Sequence, residues 1–297
     1  QDLSFKLNFP TEKAGTFSLW GIGGTDDTHK EAIKIPSDWK TDIDRVTNSW
    51  DTYVGTIGLR HQITAGEKSF VESHVAFSGT DDRISTDYLS DDASVFTPDS
   101  RLKKQNGTLT LATSLTHKLS SSATFKAGIT HKQLFYNYDL SAAQDYVPST
   151  YAHIVNSAGN TNFTEAYGQV KYQLSPSLLV NLGLRAHHFG LRKEIMLENR
   201  AGLLWTLNNQ HSLSFGYGKH SQPEDLNVYM IEVGGVAVNK DLKLSDAHHF
   251  VLGYDWMLTD KLRFKAEAYY QYLWNIPGEE GTSYSLINLR RALYLNK

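Results

Sequence analysis

Residues Glu198 to Ser221 read ENRAGLLWTLNNQHSLSFGYGKHS, and the period of this stretch decides the fold. Ala201, Leu203, Trp205 and Leu207 fall on one face of a strand, with Arg200, Gly202, Leu204 and Thr206 on the other. Asn208, Asn209 and Gln210 make a tight polar turn. Leu213, Phe215 and Tyr217 then face one way, and Ser212, Ser214, Gly216, Gly218 and His220 the other. Side chains alternate across a strand, so the stretch is a β-hairpin with one apolar face and one polar, glycine-rich face.

Similar units recur from end to end. Leu3, Phe5, Leu7 and Phe9 alternate with Ser4, Lys6 and Asn8 in the first strand. Phe250, Leu252, Tyr254 and Trp256 mark the eleventh. The twelfth, LRFKAEAYYQYLWNIP from Leu262, sets Phe264, Ala266, Ala268 and Tyr270 against Arg263, Lys265, Glu267, Tyr269 and Gln271. Burying Arg, Lys and Glu in a packed core is costly, so that polar face sees water. The apolar face meets either a soluble core or a bilayer.

The connections separate these two. Short turns fall at 10–15, 64–68, 118–122, 174–177, 208–210 and 258–261. Long ones fall at 23–48, 79–103, 132–161, 222–245 and 277–288, with a medium one at 189–198. Regular alternation of short and long connections suits an up-and-down outer-membrane barrel, with periplasmic turns below and longer loops outside. Aromatic residues near strand ends fit interface girdles: Phe9, Tyr172, Trp205 and Trp256 below, Trp20, Tyr217 and Tyr272 above. The expected fold is therefore all-β, a transmembrane antiparallel up-and-down β-barrel, with Leu203, Trp205, Phe264 and Tyr270 toward lipid and Arg185, Lys265, Glu267 and Gln271 toward the lumen. A soluble β-rich adhesin is the alternative fold reading.

Composition agrees. The net charge of −3 gives no reason to expect nucleic acid. With no cysteine, disulfides and thiolate metal sites are excluded. The mean hydropathy of −0.40 is no argument against a membrane, because a spanning strand shows lipid only every second residue. The first residues, QDLSFKLNFP, are a strand in progress rather than a signal peptide, as expected of a mature piece or a fragment of a longer chain.

Catalytic and metal motifs give little. The glycines at 21–24 lack the spacing and following helix of a phosphate loop. Asp81, Asp82, Asp87, Asp91, Asp92 and Asp99 crowd one segment without EF-hand spacing, and read as a solvated loop. His187-His188 and His248-His249 are strand neighbours that point to opposite faces, so neither pair chelates. HExxH and GxSxG are absent, and His220-Ser221 has no base oriented by a third group. The chain reads as no enzyme and calls for no cofactor.

The run NRAGLLWTLNNQHSLSFGYGKHSQ with Leu226 and Tyr229 resembles the late barrel of TonB-dependent outer-membrane receptors. Leu252-Gly253-Tyr254, Glu267 to Gln271, Ile276-Pro277 and Tyr284 to Asn288 extend the likeness, and Leu289 to Lys297 resembles the next descending strand. The likeness is greatest to receptors with a carboxypeptidase-regulatory-like domain ahead of the plug. It implies that residues 1–297 hold about 12–13 strands of a barrel of about 22. It implies further that the plug, the TonB box and the N-terminal domains lie outside this chain. Expected partners are outer-membrane lipid, the TonB complex through that N-terminal region, and a small nutrient ligand, in a Gram-negative outer membrane. Uptake of a scarce nutrient is the function so implied; a passive 12-stranded porin or a barrel enzyme is the alternative.

Ligands would meet the upper lumen and outer loops. His187, His220, Tyr269 and Gln271 come there on strand ends, and Gln222, Glu224, Asn227 and Tyr229 from the following loop.

Overall fold

The computed structural model describes residues 1–143, 151–233, 235–279 and 292–295. Ten strands come first: β1 (Asp2–Pro10), β2 (Thr16–Lys30), β3 (Val46–Ala65), β4 (Ser69–Leu89), β5 (Phe96–Lys118), β6 (Ala123–Ala143), β7 (Tyr151–Ser175), β8 (Leu178–Phe189), β9 (Glu194–Thr206) and β10 (His211–Gln222). The connection 223–244 follows, holding one helical turn, α1 (Leu226–Tyr229), and a two-residue-per-strand hairpin of β11 (Glu232–Val233) with β12 (Val236–Ala237). The chain resumes with β13 (Ser245–Thr259) and β14 (Leu262–Trp274). The first ten strands, β13 and β14 form a single 12-stranded antiparallel sheet in chain order. β1 and β14 stand at its two ends and are not paired with each other. Two short strands, β15 (Ile276–Glu279) and β16 (Ala292–Leu295), pair separately. Residues 292–295 therefore do not add a thirteenth strand to the sheet, and Tyr284 to Asn288 lie outside the described residues.

The register carries the sidedness. Val180, Leu203, Phe215, Leu252 and Ala268 lie side by side across β8, β9, β10, β13 and β14. The row below reads Leu178, Trp205, Leu213, Tyr254, Ala266; the row above reads Leu182, Ala201, Tyr217, Phe250, Tyr270. Leu3, Leu182, Leu252 and Phe264 stand exposed on this face instead of forming a core, as expected of a face that meets lipid. Leu203, Trp205, Phe264 and Tyr270 share this face, and Arg185, Lys265, Glu267 and Gln271 share the other. Trp205, Tyr254 and Trp256 occupy its lower levels, and Tyr217, His248, Tyr272 and Trp274 its upper ones; Tyr172, expected below, pairs with Val180 in the middle row. Tyr217 and His248 are hydrogen-bonded there at 3.0 Å. Trp20 is an exception to the expected girdle. It pairs with Lys6 and Gly58 on the polar face, where its ring fills the space a side chain at 58 would need.

Two expected loops are largely strand and a third is partly so. Of the segment 23–48 only 31–45 is non-strand, and of 79–103 only 90–95. Most of 132–161 belongs to β6 and β7, with 144–150 outside the described residues. The medium loop 189–198 shrinks to a turn at 190–193. Physically, a strand above the bilayer is wet on both faces, so its pairing continues while its apolar period disappears. At about 3.3 Å per residue the 21 residues of β4 extend about 70 Å, far beyond a hydrocarbon core of about 30 Å. Asp81, Asp82, Asp87 and Asp99 accordingly sit on strands, with Arg83 and Gln105 bonded to Asp81. Asp91 and Asp92 sit in the turn. The Asp92 carboxyl is held down to about 2 by the Ser90 and Ser94 hydroxyls and the Ser94 amide. Arg45 closes the 31–45 connection onto this end of β4, donating to the Leu89 carbonyl at 2.8 Å and pairing with Asp91 at 2.7 Å.

Candidate functional site

On the polar face, Glu198 follows the apolar rows upward on β9 and is completely buried. Its Oε1 accepts the Ser221 amide at 2.8 Å. Its Oε2 accepts Arg185 and Arg200, each at 3.1 Å. Arg185 also pairs with Glu165 on β7. Three strands are therefore tied through one carboxylate, and Glu165 joins a fourth through Arg185. Such a buried charge is tolerable only because each oxygen is fully engaged. The Ser221 hydroxyl donates to Asp246 at 2.6 Å, and Asn275 donates to the same carboxylate at 3.0 Å, which extends the network to β13.

His187 lies against this knot, with Nδ1 3.5 Å from Glu198 and the ring 5.1 Å from Phe163. It is buried, and neither ring nitrogen makes a hydrogen bond. The connection 223–244 folds onto the same face. Val228, Tyr229, Leu242 and Leu244 pack with Phe189, while Ile231 packs with Tyr138, Leu140 and Val155. Lys104–Asp225 at 3.4 Å and Arg192–Asp241 at 3.2 Å tether it, and Ser245 donates to Glu224 at 2.6 Å.

The eight candidate residues thus divide. Tyr229 is 1% exposed and anchors the connection instead of offering a face to solute. Asn227 carries a buried, unpartnered Oδ1, and His187 is closed off beneath. Glu224 is latched by Ser245, and its own amide donates to the Tyr229 hydroxyl at 3.2 Å. Gln222, Tyr269 and Gln271 are exposed, Tyr269 at 77%. His220 is half-buried, its ring 4.7 Å from that of His249. His249 faces Gln271 across β13 and β14. The open group is therefore Arg200, His220, His249, Tyr269 and Gln271. Arg200 and Glu198 were not expected in the site, Arg185 was expected only to face the lumen, and His249 was considered only as half of a histidine pair. The alternation Glu198-x-Arg200 placed two opposite charges on one face, and that was the available signal. The two histidine pairs do split across faces, but His220 and His249 meet diagonally from different strands. Among the described residues no group of three or more His, Cys, Asp or Glu converges as a metal site.

Removing the Tyr229 hydroxyl is expected to loosen the docked connection without opening a cavity. Tyr229→Phe should cost about 0.5–1.5 kcal/mol of local stability and raise protease cleavage within 223–244 about 2- to 10-fold. An unchanged cleavage rate would show that the Glu224–Tyr229 bond holds nothing in place.

The fold of the sheet has counterparts among known proteins. No curated protein matches the chain. Among solved structures, the ferric-catecholate import receptor Fiu from K12 E. coli superposes with a TM-score of 0.64 at 14% identity, over 94% of this chain and 52% of that one. FpvA of P. aeruginosa, bound to pyoverdine, gives 0.68 at 12% identity, over 98% and 44%. A component of the RagAB peptide transporter gives 0.62 at 11% identity, over 99% and 42%. The chain spans about half the length of these structures. The pattern of the family described as TonB dependent receptor-like, beta-barrel matches residues 3–292. That family consists of outer-membrane receptors and transporters of Gram-negative bacteria, not enzymes. With nearly all its residues inside that pattern and twelve of its strands in one antiparallel sheet, the chain belongs to the TonB-dependent receptor-like β-barrel family.

Proposed function

We propose that this chain is the barrel wall of an importer that takes up a scarce small nutrient, driven by TonB through a plug encoded outside residues 1–297. The observation that carries the reading is the unblocked polar patch of Arg200, His220, His249, Tyr269 and Gln271 opposite the lipid-facing rows. Hydrogen-bond donors and an aromatic ring converge there, as in sites that orient a small solute. The open sheet order, ending at β1 and β14, supports a wall belonging to a wider barrel over a sealed 12-stranded porin. A regulatory-like N-terminal domain ahead of the plug belongs to the same proposal and rests on the sequence resemblance.

Whole-cell uptake tests it. Gln271→Ala should weaken uptake about 2- to 10-fold at unchanged receptor abundance, the loss of one or two hydrogen bonds. Tyr229→Ala is expected to act differently, by releasing the connection, so its defect should track protease sensitivity. Uptake that persists undiminished without TonB would replace the importer with the passive porin.

A further inference from the structure

We infer that Arg200, His220 and His249 form a receptor site for an oxyanion, a carboxylate or phosphate group of the transported solute; the inference deepens the import reading and rests on it. Arg200 is anchored at one end and open at the other. Its Nη2 donates to the buried Glu198 at 3.1 Å and lies 3.5 Å from His220 Nδ1. Its Nε–H and Nη1–H groups have no partner among the described residues, and its side chain is 47% exposed. Glu198 positions this guanidinium without screening it from the lumen, because the carboxylate is fully buried in the wall and shared with Arg185 and the Ser221 amide.

The neighbours leave room for a ligand. Across the sheet Arg200 pairs with Gly183 on β8, which raises no side chain beside it, and with Gly218 on β10, over which the His220 ring lies. A Cβ there would stand 2.7 Å from His220 Nε2, so only glycine lets the His220 ring lie back toward Arg200. That posture also brings His220 to His249, with ring centroids 4.7 Å apart. A guanidinium with its Nε–H and Nη1–H free, flanked by two imidazoles, suits an oxyanion, which accepts a charge-assisted N–H bond from Arg and further ones from His. His188 and His248 belong to the opposite face and take no part.

The test uses the full-length receptor in mild detergent, with citrate and inorganic phosphate as separate probes. Acylation of His220 and His249 by diethylpyrocarbonate, and labelling of Arg200 by phenylglyoxal, are followed by peptide mass spectrometry. Saturating citrate or phosphate should slow labelling of all three residues about tenfold, while labelling of His188 stays constant. The probe that protects identifies the source of the oxyanion. Arg200→Gln should abolish histidine protection and Arg200→Lys should keep part of it. Absence of protection by both probes in the unmutated receptor overturns the site, as does full histidine protection in Arg200→Gln. Because labelling is read on the unmutated protein, a variant that fails to fold does not decide the matter. TonB-independent uptake would defeat the import reading and leave oxyanion protection intact.

Discussion

Phe215→Arg should destabilise the folded barrel by ~2 to 4 kcal/mol, the cost of a cation on the lipid face near the bilayer midplane. The level follows from the register. Phe215 lies in the row of Val180, Leu203, Leu252 and Ala268, midway between lower aromatic rows ending in Trp205 and Trp256 and upper ones containing Tyr217 and Tyr272. Phe264→Arg should cost far less, about 0–1 kcal/mol, because Phe264 pairs with Trp256 just above the 260–261 turn, where a long side chain reaches the interface. Ser214→Arg, one residue away but on the polar face, should be nearly neutral. Urea titrations in lipid vesicles, followed by heat-modifiable migration, measure all three. Equal costs for Phe215→Arg and Ser214→Arg would remove the lipid from the apolar face.

What the sequence disclosed follows the same boundary. Within the bilayer each strand meets lipid on one side and water on the other, so Leu213, Phe215 and Tyr217 alternate with Ser214, Gly216 and Gly218, and period alone gives strand and facing. Above it, Tyr53, Asp81, Gln105 and Asn137 line up across β3 to β6 as regularly as any apolar row. Both of their faces are polar, so no alternation marks them, and they pass for loop. The long-and-short rhythm that indicated a barrel was therefore right about which end carries the extra chain, though much of that chain is strand. Trp20 shows the limit of reading girdles from position along a strand, since alternation puts it on the face of Lys6 and Gly58. The site was legible only in part. His220 and Gln271 followed from their strand ends, but the meeting of Glu198 with Arg185, and of His220 with His249, depends on a cross-strand register that a single strand does not encode.

Glu198→Ala should cost about 3–5 kcal/mol, the range for breaking a buried ion pair by removing one partner. The loss has two sources. Arg185, three-quarters covered, keeps only Glu165, and the Ser221 amide loses the acceptor that holds the top of β10 against β9. Glu198→Gln restores an acceptor for Ser221 without restoring the charge, so it should recover part of the loss and leave about 1.5–3 kcal/mol. Arg200→Ala should cost under about 1 kcal/mol, because that guanidinium is half exposed and water replaces its bond to Glu198. This ordering separates the two arginines by role: Arg185 ties β7, β8 and β9 together, whereas Arg200 spends little of its hydrogen-bonding capacity on stability and presents the rest to the lumen. Measured in the same vesicle assay, a cost for Arg200→Ala as large as that for Glu198→Ala would make Arg200 a structural clamp and remove the reason to place a ligand beside it.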